Sequence, residues 1–174
     1  DSKFISVLLI NLTDHELIKK ISESVLNIIN WRGVPSELIY TCLDLSNNLK
    51  TKQNFSNVIL QDKDWRRIDS SIISKCIELS DDKVRQDFSN TILKDENLKE
   101  IPFQIIYSCL TISKNKGIAL FLLKNWKLYS EDIFYESLLL FENENKFPHE
   151  FTCVIEDIIF NYHKQRSCCQ QFAN

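Results

Sequence analysis

The feature that constrains the fold most is a short segment, here called the joint, that recurs about every 34 residues. It reads NWRGVP from Asn30, DWRRID from Asp64, NLKEIP from Asn97, NWKLYS from Asn125 and NYHK from Asn161. Aligned on the second letter, the joints place Trp31, Trp65, Leu98, Trp126 and Tyr162 in one column, with steps of 34, 33, 28 and 36 residues. All three tryptophans fall in this column. Such a period predicts an array of stacked repeats.

Two apolar stretches follow the joints, and both have helical spacing. The first set reads IYTCLDLS from Ile39, ISKCIELS from Ile73, IYSCLTIS from Ile106 and FYESLLLF from Phe134. The second set reads ISESVLN from Ile21, FSNVILQD from Phe55, FSNTILKD from Phe88, IALFLLKN from Ile118 and FTCVIEDI from Phe151. In the first set, apolar residues recur three and four positions apart, which is the period of an amphipathic helix. Each unit is therefore predicted to contain a helix A, a polar connection and a helix B.

These units predict an all-α fold, a right-handed α-solenoid of about five helical hairpins. We expect the hairpins to span residues 1–166 in units of roughly 34 residues, followed by a C-terminal tail at 167–174. Two glycines and three prolines are too few for the many turns of a β-sandwich or barrel. The chain has no methionine, even at position 1, which favours a fragment or processed form of a longer protein.

Three cysteines occupy one position of helix A. Cys42, Cys76 and Cys109 share it with Ser137. Helix B has its own column of small residues, namely Ser22, Ser56, Ser89, Ala119 and Thr152. A zinc site needs four converging ligands, usually from short-spaced pairs, and no C-x-x-C occurs here. Small side chains let helix axes approach closely, so we interpret the cysteines as packing residues.

The remaining cysteines do not define a cofactor site. Cys153, Cys168 and Cys169 lie near His149 and His163, but their spacing matches no metal-ligand pattern. We therefore predict neither a metal nor another cofactor. Reduced cysteines without a secretory signal favour a reducing intracellular compartment, such as cytoplasm or nucleus, or the mitochondrion for an RNA-binding protein.

Composition and motifs narrow the classes of function. No apolar run reaches the ~18–20 residues of a membrane span, so no membrane partner is expected. The net charge of −3 provides no general cationic field for nucleic acid. The histidines have no nucleophile partner at a recognisable spacing, and Gly33 and Gly117 cannot form a glycine-rich phosphate loop. We predict that the chain is not an enzyme; a regulatory helical segment of a larger enzyme is a weaker alternative.

A period near 34, two helices per unit and small residues at the helix crossings resemble the tetratricopeptide and pentatricopeptide superfamily of α-solenoids. The first joint, Arg32-Gly33-Val34-Pro35, resembles the glycine-x-x-proline hinge between pentatricopeptide units, and Pro102 occupies the same place later. The resemblance implies two kinds of partner. Tetratricopeptide-like arrays typically bind proteins or peptides, and pentatricopeptide arrays typically bind single-stranded RNA, one base per repeat.

The RNA-binding alternative implies two sets of contact residues. The base-reading positions of helix A would be Thr41, Lys75, Ser108 and Glu136. Threonine and serine suit that role, whereas lysine and glutamate depart from it. The phosphate contacts would be the cations that follow the aromatic column, Arg32, Arg66, Lys99 and Lys127, with His163 next in line. The competing interpretation, which we favour, places these cations at the ends of B helices, where they complement the helix dipole.

The favoured function is a protein-interaction or scaffold module whose partner is a protein or peptide. The residues opposite the apolar stripe of helix A would align along one face of the stacked repeats. This predicted docking strip consists of Tyr40, Thr41, Asp44, Lys75, Glu78, Tyr107, Ser108, Tyr135 and Glu136. Tyrosines provide a large contact area at little entropic cost and are common at interfaces.

Overall fold

The computed structural model describes residues 9, 11–27, 31–95, 98–125 and 131–141, together with 152 and 156. Within these ranges all regular structure is helical, and they contain no strand. The helices are α1 (His15–Leu26), α2 (Ser36–Leu45), α3 (Leu49–Leu60), α4 (Ser70–Leu79), α5 (Asp82–Leu93), α6 (Phe103–Thr111), α7 (Lys116–Lys124) and α8 (Glu131–Leu139). The all-α prediction is confirmed for this part of the chain. The predicted tail at 167–174 lies outside the described residues.

The joints become short 3₁₀ turns that separate a B helix from the next A helix. These turns are Trp31–Gly33, Trp65–Arg67 and Leu98–Glu100. Pro35 and Pro102 then stand at the N-caps of α2 and α6, a position where a fixed φ and a missing N–H cost nothing. Asp69 caps α4 through a hydrogen bond that its Oδ1 accepts from the Ser71 N–H at 2.8 Å. A proline or an aspartate at this point thus precedes each of α2, α4 and α6 after its joint.

Residues 1–115 form one compact unit in which equivalent helices contact each other. The A helices α2, α4 and α6 pack in succession, and we call them row A. The B helices α1, α3 and α5 also pack in succession, and we call them row B. Across the rows, α1 packs against α2 and α3 packs against α4. Contacts between equivalent helices are what a stacked repeat requires.

Residues 116–174 form a second compact unit. Its described part contains α7 and α8, which pack against each other. Ile118, Ala119, Leu122 and Leu123 of α7 are buried, and so is Phe141 after α8. This spacing of three and four residues again places the apolar side of the helix inward.

The two rows of the first unit meet along a seam of small residues. Cys42, Cys76 and Cys109 are fully buried, as the packing interpretation predicts. Each thiol faces the small residue of the preceding B helix, in the pairs Ser22–Cys42, Ser56–Cys76 and Ser89–Cys109. The Ser22 and Ser56 hydroxyls make no well-aligned hydrogen bond, so their contact with sulfur is a weak polar interaction. The two columns of small residues thus pack on each other.

Burial keeps these thiols uncharged. It raises the pKa of Cys42 and Cys109 to about 11 and that of Cys76 to about 12, and the facing serine hydroxyls offset only part of this shift. A thiol is nucleophilic and metal-binding only as the thiolate. The three cysteines are therefore inert packing residues at neutral pH.

A ladder of polar side chains joins successive helices of row B. Asp81, the N-cap of α5, accepts hydrogen bonds from the side-chain amides of Gln53 and Asn57 on α3. Its backbone N–H donates to Asn57 Oδ1 at 3.1 Å. The equivalent amides of α5, Gln86 and Asn90, accept from Asn115 Nδ2 at 3.2 and 3.1 Å. These bonds connect α3 to the segment that leads into α5, and they connect α5 to the segment that leads into α7.

Candidate protein-docking face

The outer face of row A carries the part of the predicted docking strip that lies in the first unit. Tyr40 on α2 and Tyr107 on α6 are 42% and 39% exposed, although both are large aromatic residues. They occupy the same position of the first and third helices of row A, and Ser74 is the equivalent residue of α4, the helix between them. No described residue hydrogen-bonds to either tyrosine hydroxyl. In the second unit Tyr135 is 62% exposed and Glu136 is exposed as well.

An ion pair couples two helices of this face. Lys75 Nζ on α4 lies 3.7 Å from Asp44 Oδ1 on α2 and 3.2 Å from Glu78 Oε2 one turn further along α4. Burial by itself lowers the pKa of Lys75, but the hydrogen bond to Glu78 and the charges of Glu78 and Asp44 outweigh it, so the net shift is upward. Lys75 therefore stays charged at neutral pH and holds both carboxylates close to the protein surface.

The structure places most of the predicted strip on the surface, with one correction. Tyr40, Asp44, Glu78, Tyr107, Tyr135 and Glu136 are exposed, and Thr41 and Lys75 are half-buried. Ser108 is buried, because its small side chain turns back and donates a hydrogen bond to the Gln104 carbonyl oxygen at 3.0 Å. Its placement in the strip was wrong: it lies behind the surface, and no partner reaches it there.

Phe103 is a surface residue of this face that the repeat alignment did not predict. It is 43% exposed, and its ring lies 5.9 Å from that of Tyr107 one helical turn away. Its equivalents in the two preceding A helices are Ser36 and Ser70, so the alignment gives no expectation of an aromatic residue there. The available signal was local, an aromatic pair spaced four residues apart on a helix.

A groove lies between α2 and α4 at the edge of this face. Its volume is about 390 Å³. The lining residues are Ser36, Glu37, Tyr40, Thr41, Asp69 and Ser71. Sites that hold ligand groups in proteins are typically ~300–1,000 Å³ in volume. The groove therefore has the dimensions of a side-chain pocket, and its wall combines one aromatic ring with two carboxylates.

Two of the four cations proposed as phosphate contacts, Arg32 and Arg66, are already paired. Arg32 forms an ion pair with Asp62, and Arg66 forms one with Asp95, in each case with the aspartate that follows the next B helix. Arg32 and Arg66 also stack on the neighbouring rings, Trp31 at 5.1 Å and Trp65 at 5.4 Å. The expectation that these arginines complement a helix dipole was wrong for Arg32 and Arg66, because they lie in 3₁₀ turns beyond the helix ends. The side chains of Lys99 and Lys127 lie outside the described part.

The described tryptophans of the joint column lie between successive repeats. Trp65 is buried and meets Phe88 of α5 edge to face, with ring centroids 5.3 Å apart. Trp31 is half-buried beside Arg32. A buried indole cannot stack on a nucleic-acid base, so Trp65 acts as a packing residue.

Other kinds of site are not evident in the described ranges. These residues contain no cluster of three or more histidine, cysteine, aspartate or glutamate side chains arranged to hold a metal ion. The described residues do not include the cysteines and histidines considered as metal ligands near the C-terminal end, namely Cys153, Cys168, Cys169, His149 and His163. None of the described helices has both the length and the apolar character needed to cross a membrane.

Comparison with known proteins adds no family, since no family model, curated protein or solved structure matches the chain. The evidence for repetition is therefore internal. Three interactions recur about one unit apart: the serine–cysteine seam, the arginine–aspartate pairs at the joints and the amide ladder of row B. Their recurrence supports a common repeated unit over residues 1–115.

Proposed function

We propose that this chain is a right-handed α-solenoid similar to tetratricopeptide and pentatricopeptide arrays, and that it acts as a protein-interaction or scaffold module. Row A provides the binding face. The recurring interactions of the first unit support the repeat, because each arginine–aspartate pair joins one joint to the segment before the next joint, and each set of amide bonds joins a row B helix to the segment that leads into the next B helix. Stacked repeats of this kind present long surfaces suited to extended partners.

The observation that carries the proposal is the exposure of Tyr40 and Tyr107 at equivalent positions of row A. Phe103 enlarges the apolar surface beside Tyr107. Aromatic side chains bury a large area when a partner covers them, and their few rotatable bonds make that burial inexpensive in entropy. A protein or peptide partner uses such residues as anchors.

The paired arginines make RNA a poorer fit for this surface. Arg32 is held by Asp62, and Arg66 is held by Asp95. A phosphate would have to displace these carboxylates before counterion release contributed to binding. The acidic residues of the strip, Asp44 and Glu78, would in addition repel an RNA backbone.

The test selects peptides from a displayed random library against the whole chain and measures their affinity by fluorescence polarisation. We expect Tyr107→Ala to weaken binding by ~1–3 kcal/mol, the scale of an interface anchor, while the melting temperature stays close to that of the unchanged chain. The matched control is Val58→Ala on α3 of row B, where an apolar side chain is 54% exposed. This control should leave peptide affinity unchanged.

Two outcomes would overturn the proposal. Equal losses of affinity in the Tyr107→Ala and Val58→Ala variants would show that row A is not the binding face. A random-sequence single-stranded RNA of about 20 nucleotides serves as the second probe, at physiological salt. Tight RNA binding that the joint variant Arg32→Gln/Arg66→Gln abolishes would favour the RNA-binding function instead.

A further inference from the structure

The groove between α2 and α4 has a composition that discriminates between partner side chains. Glu37 and Asp69 place two carboxylates on its wall, and the exposed ring of Tyr40 provides an aromatic surface. The remaining lining residues carry hydroxyl groups. An arginine or lysine side chain suits this lining, because its charge pairs with the carboxylates and is attracted to the face of the aromatic ring.

The two carboxylates are available to a ligand. Asp69 uses Oδ1 to accept hydrogen bonds from the Ser71 N–H at 2.8 Å and the Ser71 hydroxyl at 2.6 Å, and these bonds lower its pKa. Its second oxygen accepts no hydrogen bond from the described residues. Glu37 forms no ion pair within the described part of the chain. Both groups thus present negative charge to the groove at neutral pH.

Other charges near the groove do not cancel this field. Lys75 of α4 is held between Asp44 and Glu78, and Lys52 of α3 donates a hydrogen bond to the Asp44 carbonyl oxygen. Arg67 precedes Asp69 in sequence but lines the neighbouring pocket beside Trp31, which shares only Ser36 with the groove. The outer face of α2 and α4 therefore carries more negative than positive charge. By charge complementarity the partner is basic where it crosses these two helices.

The same face ends on an apolar surface at α6. Phe103 and Tyr107 form an exposed aromatic pair there. The groove lies between α2 and α4, and α4 packs against α6. Since packed helices have axes ~8–10 Å apart, the groove is about one and a half spacings, ~12–15 Å, from the aromatic pair. An extended peptide advances ~3.3–3.6 Å per residue and covers that distance in about four residues.

We propose that the partner of row A is an extended peptide with an arginine or lysine whose side chain occupies the groove beside Glu37, Tyr40 and Asp69. A large apolar residue about four positions away packs on Phe103 and Tyr107. This inference rests on the proposed protein-binding function and names the chemistry of its partner. Electrostatic attraction gives specificity and a salt-dependent on-rate, and the aromatic pair anchors the other end.

The experiment measures the whole chain against fluorescein-labelled peptide pools. In the first pools an arginine and a phenylalanine flank three randomised residues, in either order. Matched pools carry glutamate in place of arginine. We expect the arginine pools to bind about tenfold more tightly than the glutamate pools at low salt, with a smaller ratio at high salt.

A pair of charge-matched variants locates the effect. Glu37→Gln/Asp69→Asn removes both carboxylates and keeps a residue that caps α4, since asparagine is as good an N-cap as aspartate. Glu16→Gln/Asp87→Asn removes two exposed carboxylates from row B. The first variant should bring the preference for arginine down to about twofold, whereas the control should retain it. Melting curves check that both variants fold.

Three outcomes would overturn this inference. If the two variants lower the preference equally, the effect is general charge and not the groove. If the glutamate pools bind as tightly as the arginine pools in a manner that depends on Tyr107, row A binds peptides but the basic partner is wrong. If neither these pools nor any peptide selected by display binds, the inference and the proposed function both fail.

Discussion

Row A and row B are built from the same repeated unit but use their outer side chains differently. In row B the amides Gln53 and Asn57 are consumed in bonds to Asp81, and the pattern recurs on α5. In row A Tyr40 and Tyr107 remain exposed on helices of the same period. The difference lies in the outer polar groups: row B uses them to bond one helix to the next, whereas row A leaves tyrosines open to solvent at equivalent positions. Both rows also expose some apolar side chains, such as Val58 of row B.

Both rows depend on the buried seam between them. The comparison therefore concerns three regions, which are the seam, the outer face of row A and the outer face of row B. The seam buries apolar and small side chains, among them Ser56 and Cys76 with no exposed surface. The free energy of unfolding should therefore respond most strongly to changes in the seam, less to changes in the row B ladder, and least to changes on the outer face of row A.

The largest effect is expected from alkaline pH, which acts on the seam and therefore on both rows. An unfolded cysteine ionises near its ordinary pKa of 9.0, whereas burial raises the pKa of Cys76 to about 12. Between these values the folded state keeps a proton that the unfolded state has lost, so stability falls as pH rises from 9. Each such thiol contributes up to ~1.4 kcal/mol per pH unit. Urea unfolding at successive pH values measures the slope.

The control for the alkaline effect is Cys76→Ala. This variant should have a shallower fall in stability above pH 9, because one ionising seam thiol is gone. A slope identical to that of the unchanged chain would mean that Cys76 does not titrate as a buried thiol. Thiol labelling at neutral pH gives an independent check, since Cys42, Cys76 and Cys109 should react only after unfolding.

Overpacking the seam is expected to have the next largest effect. Cys76→Leu places a larger side chain at a fully buried position that faces Ser56. The strain should lower the free energy of unfolding by ~1–3 kcal/mol, measured by the urea midpoint. Cys76→Ala should cost less, because it creates only a small void. A leucine variant as stable as the alanine variant would show that the helices of the two rows separate easily.

Loss of the row B ladder ranks third. Asp81→Ala removes the acceptor of two amide hydrogen bonds that join α3 to the start of α5. We expect a loss of ~1–2 kcal/mol in the free energy of unfolding, because hydrogen bonds to a charged group are worth more than neutral ones. Asp87→Ala, an exposed aspartate of α5, is the charge-matched control and should stay within ~0.5 kcal/mol of the unchanged chain.

The sequence predicts the helices well because local and repeated signals agree. Apolar spacing identified the A and B helices, and the joint column placed their boundaries near Trp31 and Trp65. The packing interpretation was also correct for the three cysteines and for Ser22, Ser56, Ser89 and Ala119, since size and position in the repeat suffice for that inference. It was wrong for Thr152, the last member of the helix B column, which is exposed. The alignment of repeat columns did not predict which column of one helix contacts which column of the neighbouring helix. Ser22 faces Cys42 of the next A helix, and this pairing depends on how helices pack across a joint.

Polar partners were harder to predict than apolar ones. Arg32 and Asp62 lie about one repeat apart, and nothing in the spacing of either column indicates that the arginine of one joint reaches the aspartate after the next B helix. Ser108 shows the same limit on the docking strip. A serine at an outward position can satisfy its hydroxyl on its own helix, as Ser108 does on Gln104, and is then lost from the surface.

The smallest effect on stability is expected from Lys75→Ala on the outer face of row A. The partners Asp44 and Glu78 are 62% and 55% exposed in their side chains, so water solvates both carboxylates once the lysine is gone. Exposed ion pairs are worth ~0.2–1 kcal/mol, and part of any loss here comes from the packed aliphatic stem of Lys75. The ionic part should vanish in 1 M NaCl.

Lys83→Ala on α5, where no described residue pairs with the lysine, is the matched control. A loss for Lys75→Ala that equals the loss for Asp81→Ala would show that the polar side chains of row A stabilise the stack as strongly as those of row B, and would remove this distinction between the two rows.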